Sequence, residues 1–250
     1  MRKKKTIANF HFQPKVDSTN KTARKLFSNK EAKEGSIIYS FHQKNGKGRG
    51  ENKWYSSENQ SVCLSLIIEP EKLSFSSFFK LHMMTSIAIV EALEKYTPSE
   101  SLKIKWPNDI YYKDKKLAGI LITNDIAGEY IKASIIGVGV NINQNNFPND
   151  IPNPISLKQI TGKEHNIKSL LQDISQSLLE NYDTLNSNLD FFNTKYHQRL
   201  YKLDILSEFY IDNKVQEGII KGIGEDGKLL LEQNKNIHAF DMDEIKFLIK

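Results

Sequence analysis

Lys103-Ile104-Lys105-Trp106-Pro107-Asn108-Asp109 is the stretch on which the reading of the fold turns. Residues 102–105 read as a strand. Pro107 has no amide hydrogen for a continuing central strand, and its ring drives Trp106 out of helical geometry. The strand therefore ends in a turn from which Lys105, Asn108 and Asp109 project. Asn and Asp also build turns by bonding to their own backbone, so a purely structural reading stands beside a functional one. An ammonium, an amide and a carboxylate at one strand end are more than such a turn requires.

Outward from this turn, apolar spacing predicts an amphipathic helix over residues 75–96, with Phe75, Phe78, Phe79, His82, Ser86, Ile89 and Leu93 near one face. Residues 37–41 and 62–68 read as strands, being rich in apolar and β-branched side chains. The polar segment between them, residues 43–60, is long for a structureless connection and is a candidate functional loop. Residues 19–28 read as a short helix with Ser18 or Thr19 as its N-cap. Downstream, strands are predicted over 118–123 and 133–140, and a helix over 167–186 with Leu170, Leu171, Ile174, Leu178, Tyr182 and Leu185 at helical spacing. From about Leu203 only short strand patterns remain, over 215–221, 228–232, 237–240 and 244–249. Asp212-Asn213, Glu225-Asp226-Gly227 and Asn234-Lys235-Asn236 punctuate them as turns. They suggest a barrel of about 45 residues, close to the lower limit for independent folding and so expected to pack on the rest. The fold class is α+β, with a main domain over 1–202 and a small β domain over 203–250.

The 250 residues carry a formal net charge of +5, and 39% of them are apolar. That composition supports a core and excludes wholesale disorder. No apolar run approaches the ~18–20 residues of a membrane helix. Residues 6–12, after the basic start Met1-Arg2-Lys3-Lys4-Lys5, are too short and too polar for the apolar part of a signal peptide. Cys63 is the only cysteine, which excludes an intrachain disulfide and a cysteine-based metal cage. A cytoplasmic protein away from membranes is the expectation. The cations are grouped: Lys44, Lys47, Arg49 and Lys53 in one stretch, Lys103, Lys105, Lys113, Lys115 and Lys116 in another. Brought together by the fold, they would make an anion site.

Three further stretches carry chemistry. Val16-Asp17-Ser18-Thr19-Asn20 offers hydroxyl and amide groups at a helix start, to the helix itself or to a ligand. Gln43-Lys44-Asn45-Gly46-Lys47-Gly48-Arg49-Gly50, running on to Trp54, lets the backbone approach a ligand while Lys47 and Arg49 neutralise anionic charge. It lacks the Gly-Lys-Ser/Thr ending of a Walker loop and the spacing of a dinucleotide fingerprint; alone, it reads equally as a solvated loop. Lys116-Leu117-Ala118-Gly119 and Gly137-Val138-Gly139-Val140-Asn141 place glycines in strands, where each costs roughly 0.5–1 kcal/mol relative to Ala. Such glycines occur where something must come close, although a bulged strand ending in a turn is the plain alternative.

In this order, the five motifs resemble the biotin–protein ligase family: Ser18-Thr19-Asn20, Gln43…Gly46-Lys47-Gly48-Arg49…Trp54, Lys105–Asp109, Lys116–Gly119 and Gly137–Asn141. The resemblance covers nearly the whole chain, and the tail looks like the family's C-terminal SH3-like barrel. Lys47 stands where the family usually has Arg; Glu51 and Asn59 stand where Gly is common. Only about sixteen residues precede Asp17, so the form expected is the one without the family's N-terminal DNA-binding helices.

The resemblance implies a catalytic domain like that of class II aminoacyl-tRNA synthetases, with a mixed sheet and helices. It implies two steps: the carboxylate of biotin attacks the α-phosphate of ATP, and a lysine of a biotin carboxyl carrier protein domain then takes the biotinyl group from biotinyl-5′-AMP. No enzyme nucleophile is needed, and Mg²⁺ is implied beside the phosphates. Lys116, Arg49, Lys105 and Asp109 are the implied catalytic residues, with the role of Asp109 left open. Biotin is expected against Ser18, Thr19, Asn20, Gln43, Gly46, Lys47, Gly48, Arg49, Lys116 and Gly119. ATP is expected against Lys47, Arg49, Asn52, Trp54, Lys105, Asn108 and Asn141. The partner implied is the carrier domain of a biotin-dependent carboxylase, with no DNA and no membrane, for a monomer or homodimer. Two alternatives are weighed. A lipoate–protein ligase would need an apolar slot where Ser18, Thr19 and Gln43 stand. A nucleic-acid-binding module would use Lys3–Lys5 and the small barrel, but Glu217, Glu225, Asp226, Glu232, Asp241, Asp243 and Glu244 make that barrel a poor polyanion surface.

Overall fold

The structure is a computed structural model that describes residues 5–70 and 73–249; the basic residues Arg2, Lys3 and Lys4 lie outside them. The chain opens with β1 (Asn9–Phe12), α1 (Thr19–Ser28) and β2 (Ser36–Ser40). A short ribbon of β3 (Gly46–Lys47) and β4 (Lys53–Trp54) precedes β5 (Ser61–Ile68) and α2 (Phe79–Leu93). Then come β6 (Leu102–Lys105), β7 (Asp109–Tyr112), β8 (Lys115–Ala127) and β9 (Tyr130–Asn141), followed by α3 (Leu157–Thr161), α4 (Ile167–Ser187) and α5 (Phe191–Gln198). Seven strands form one sheet in the order β1-β2-β5-β9-β8-β7-β6, in which only β1 and β2 run parallel.

β5 shows why the sheet is central. All eight of its residues are buried. Val62, Leu64, Leu66 and Ile68 join the main core with α2 and α4, while Ile67 meets Ala23 of α1, Ile38 and Ile135. A strand covered on both faces must be apolar at successive positions, and each large aliphatic side chain so buried stabilises by about 1.5–3 kcal/mol.

Residues 75–96 depart from the predicted one-sided helix. Residues 75–77 form a 3₁₀ turn, the α-helix runs from Phe79 to Leu93, and nearly every residue of it is buried. The sheet, α4 and α5 surround α2, so its surface is apolar all round. α5 itself gives little sequence signal, because Phe-Phe-Asn-Thr-Lys-Tyr-His-Gln contains weak helix formers. Packing decides it: Phe192 and Tyr196 are fully buried, and the Tyr196 ring stands edge-on to Phe79 at 5.7 Å.

The turn after Lys105 is present, and the chain returns at once as β7, with Lys105 paired to Asp109. β8 and β9 are longer than predicted because their pairing continues to Ala127 and Tyr130.

The tail forms β10 (Leu206–Ile211), β11 (Lys214–Ile223), β12 (Leu229–Gln233), β13 (Asn236–Phe240) and β14 (Ile245–Phe247), antiparallel in the order β13-β12-β11-β10-β14. Asp212-Asn213 and Asn234-Lys235 both have positive φ at both positions, as tight hairpin turns require. The tail does pack on the rest: Phe209, Ile220 and Leu231 join the main core, and Trp106 Nε1 donates to the Gly227 carbonyl at 2.9 Å. Gly227, at φ +85°, lies so close on the Phe79 ring that a Cβ there would overlap it. The α+β class and the small C-terminal β sheet stand as read.

Candidate active site

On the α1 side of the sheet, the register sets Gly119 of β8 opposite Gly139 of β9, and Leu121 opposite Gly137. The glycines make room there, and the protein's own side chains fill it. The Trp54 indole lies over Gly119 and Gly139, so close that a Cβ on Gly139 would overlap the ring. The Asn20 carboxamide lies over Gly137. It donates to the Leu121 carbonyl at 3.0 Å and accepts from Ser65 Oγ at 2.5 Å. Ser65 Oγ also meets Thr19 Oγ1 at 2.8 Å, and Gln43 Oε1 accepts from the Thr19 amide at 2.9 Å. Ser18 holds the N-cap position, but its hydroxyl makes no capping bond and lines the open space. This end of the site is uncharged and rich in donors and acceptors.

The other end is cationic. Lys116 Nζ lies 2.6 Å from Asp109 Oδ1 and 5.7 Å from the centroid of the Trp54 ring. Lys105 Nζ has no hydrogen-bond or ion-pair partner among the described residues. It lies 4.7 Å from the Phe247 ring centroid and 5.6 Å from that of Tyr111. Burial lowers its pKa, the charge of Asp109 opposes that shift, and Lys116 adds to it. Arg49, at the tip of the β3–β4 ribbon, donates to the Met242 carbonyl at 2.9 Å and ion-pairs with Asp243. The tip turns through Gly50 at φ +61° and is closed by Gly48 N donating to the Asn52 carbonyl at 2.8 Å. Asn59 adopts φ +55°, so it takes up the left-handed backbone that a glycine there would otherwise supply.

Two neighbours add no charge. Burial, joined by the positive charge of Arg49, lowers His82 to about 4, so it is neutral near pH 7. Burial pushes the Cys63 thiol up to about 11, which leaves it inert.

A single cavity of about 750 Å³ joins the two ends, within the usual size of a small-molecule site. Every predicted site residue lines it except Gly46, which lies beneath Trp54 and Gln43. Two of the predicted amides are also engaged in holding the frame. Asn108 donates to the Ile120 carbonyl at 2.8 Å, and Asn141 donates to that of Ile155 at 3.1 Å. The cavity has walls that the motifs did not mark: Tyr111, then Phe147, Ile151, Pro152 and Pro154, and from the tail Met242, Ile245, Lys246 and Phe247. The repeated prolines after Asn141 were the one available signal for the middle group.

The biotin/lipoate A/B protein ligase family matches residues 12–141, just over half of the chain and the part that carries all five motifs. The chain belongs to that family. The bifunctional ligase/repressor BirA of Bacillus subtilis is similar over 238 residues at 31% identity, spanning 91% of this chain and 71% of the relative. The human biotin–protein ligase is 38% identical over 119 residues, spanning 45% of this chain and 16% of the human protein. Among solved structures, the biotin protein ligase of Aquifex aeolicus in complex with biotin and ATP superposes with a TM-score of 0.81 at 25% identity, covering 98% of this chain and all of that one. The family read from the motifs therefore stands, and with it an enzyme of the biotin–protein ligase kind. Among the described residues, no helix is long and apolar enough to cross a membrane.

Proposed function

We propose that the cavity activates biotin with ATP and that the chain transfers the biotinyl group to a lysine of a biotin carboxyl carrier protein domain, in the cytoplasm. The observation that carries this reading is the union, in one cavity, of an uncharged hydrogen-bonding end with Lys105, Lys116 and Arg49 at the other. A ureido ring offers two N–H donors and a carbonyl, which suits Ser18, Thr19 and Gln43. A carboxylate and a triphosphate repel each other, and fixed cations let them meet.

In the first step a carboxylate oxygen of biotin attacks the α-phosphorus, the bond to the bridging oxygen breaks, and pyrophosphate leaves. Lys116 and Lys105 hold the reacting oxygens, and Lys116 turns from Asp109 toward them. Arg49 closes the ribbon over the adenylate and excludes water. In the second step the neutral amine of the acceptor lysine attacks the acyl carbon, AMP leaves, and the amine's proton passes to solvent or to Asp109. Of the three described acids that line the cavity, Glu51 and Asp243 are exposed at its rim and Asp109 is the enclosed one, and the described residues contain no cluster of three or more acidic, His or Cys ligands. That donor set fits Mg²⁺ carried in on the phosphates rather than held by a protein cage. Bound there, Mg²⁺ supplies further charge neutralisation. The division at residue 202/203, a catalytic domain followed by an SH3-like one, belongs to the same reading.

The test is intact-mass measurement of a carrier domain after incubation with the chain, ATP, Mg²⁺ and either biotin or lipoate. A biotinyl adduct on one lysine, with no lipoyl adduct, is expected. A lipoyl adduct alone would assign the cavity to the other branch of the family.

A further inference from the structure

The Lys105 ammonium lies over two aromatic rings and has no ion-pair contact among the described residues; Asp109 acts on it only through its nearby charge. Tyr111 comes from the neighbouring strand β7, but Phe247 comes from β14, at the far end of the chain. Phe247 is itself fixed from behind. Its ring meets Phe209 at 5.3 Å and Tyr201 at 6.2 Å, and Tyr201 meets Tyr111 at 5.3 Å. β14 pairs with β10, setting Phe247 opposite Phe209. The ring is therefore placed by the docking of the C-terminal sheet and has little freedom of its own.

An ammonium over an aromatic face is attracted by the ring quadrupole, and the attraction grows when water is removed. A carboxylate in that position would hold Lys105 too, but it would consume its charge. A ring holds the charge and leaves the N–H groups for an anion.

We propose that Phe247 is a positioning residue for Lys105, holding its ammonium over the ring face and free of an ion-pair partner where the phosphates of ATP arrive. The proposal rests on the reading of the cavity as the site of biotin activation. It makes the C-terminal sheet part of the first step through one side chain.

The test compares Phe247→Leu and Phe247→Tyr with the unsubstituted chain in biotin-dependent ATP–pyrophosphate exchange. Phe247→Leu keeps the apolar cover and removes the ring face. It is expected to lower kcat about three- to tenfold while leaving KM for biotin in place, and to move the alkaline limb of the pH profile to lower pH. Phe247→Tyr is expected to recover most of the loss. In a Lys105→Met background the leucine substitution is expected to cost nothing further, because there is no ammonium to hold. An equal loss in that background, or an unmoved alkaline limb, would overturn the proposal.

A second readout needs no activity. The ring should shift the Lys105 side-chain methylene protons upfield in the NMR spectrum of the free protein, and Phe247→Leu should remove that shift. Its absence from the unsubstituted chain would refute the placement even if the leucine variant did not fold. A clear ring shift without any biotin-dependent exchange would count against the biotin reading alone.

Discussion

Lys116 enters the cavity from the start of β8 and meets a carboxylate; Lys105 enters from the end of β6 and meets two rings. The Asp109 contact gives Lys116 a partner at 2.6 Å that partly cancels its charge until a substrate anion competes for it. Lys105 has no carboxylate in ion-pair contact to cancel its charge, but burial disfavours that charge. One corner holds a cation by giving it a partner that must be exchanged, and the other holds a cation whose partner has yet to arrive. A site that brings two anions together has use for both arrangements.

The largest expected effect falls on the paired corner. Lys116→Ala removes the charge from the reacting oxygens and should lower adenylate formation by about 10²–10³-fold, read as biotin-dependent pyrophosphate exchange, with the thermal unfolding midpoint little changed. Normal exchange would remove Lys116 from the chemistry and break the comparison.

A smaller effect on rate, but a distinct one on product, is expected at the ribbon. Arg49→Gly frees the tip from Met242 and Asp243, so biotinyl-5′-AMP should be released into solution and acylate amines without discrimination. Chromatography of the nucleotide products would show it, and full retention of the adenylate would contradict the closing role.

The smallest effect sharpens the unpaired corner. A lysine whose pKa burial has lowered is charged below that pKa and neutral above it, so activity that needs the ammonium is whole at lower pH. It is lost as pH rises through a value below the ordinary 10.5. Lys105→Arg should abolish this alkaline limb at some cost in rate, because a guanidinium stays charged. A limb unchanged by that substitution would assign the titration to another group.

Much of this was legible in the sequence. Pro107 ends its strand, the Ser18-Thr19-Asn20 helix begins where it should, and Lys47, Arg49, Lys105 and Lys116 reach one cavity. What stayed hidden shares one physical cause: it depends on contacts between distant segments. Nothing near Phe247 announces that its ring will lie over an ammonium more than a hundred residues earlier. The glycines at 119 and 139 announced a close approach, but not that Trp54 would make it. The stripe on α2 was read as one-sided because the helices that cover its other faces, α4 and α5, lie about a hundred residues further on. β7 was missed because four residues after a proline turn carry little pattern of their own, and only pairing with β6 and β8 makes them a strand.

The central claim is that the cations converge on the reacting centre of a biotinyl adenylate. A crystal structure of the chain with a non-hydrolysable biotinyl-5′-adenylate analogue tests it most directly. The account predicts the ureido ring at Ser18, Thr19 and Gln43, and the phosphoryl and acyl oxygens within hydrogen-bond distance of Lys105 and Lys116, the latter withdrawn from Asp109. An analogue bound with its phosphoryl group out of reach of both lysines would contradict the account.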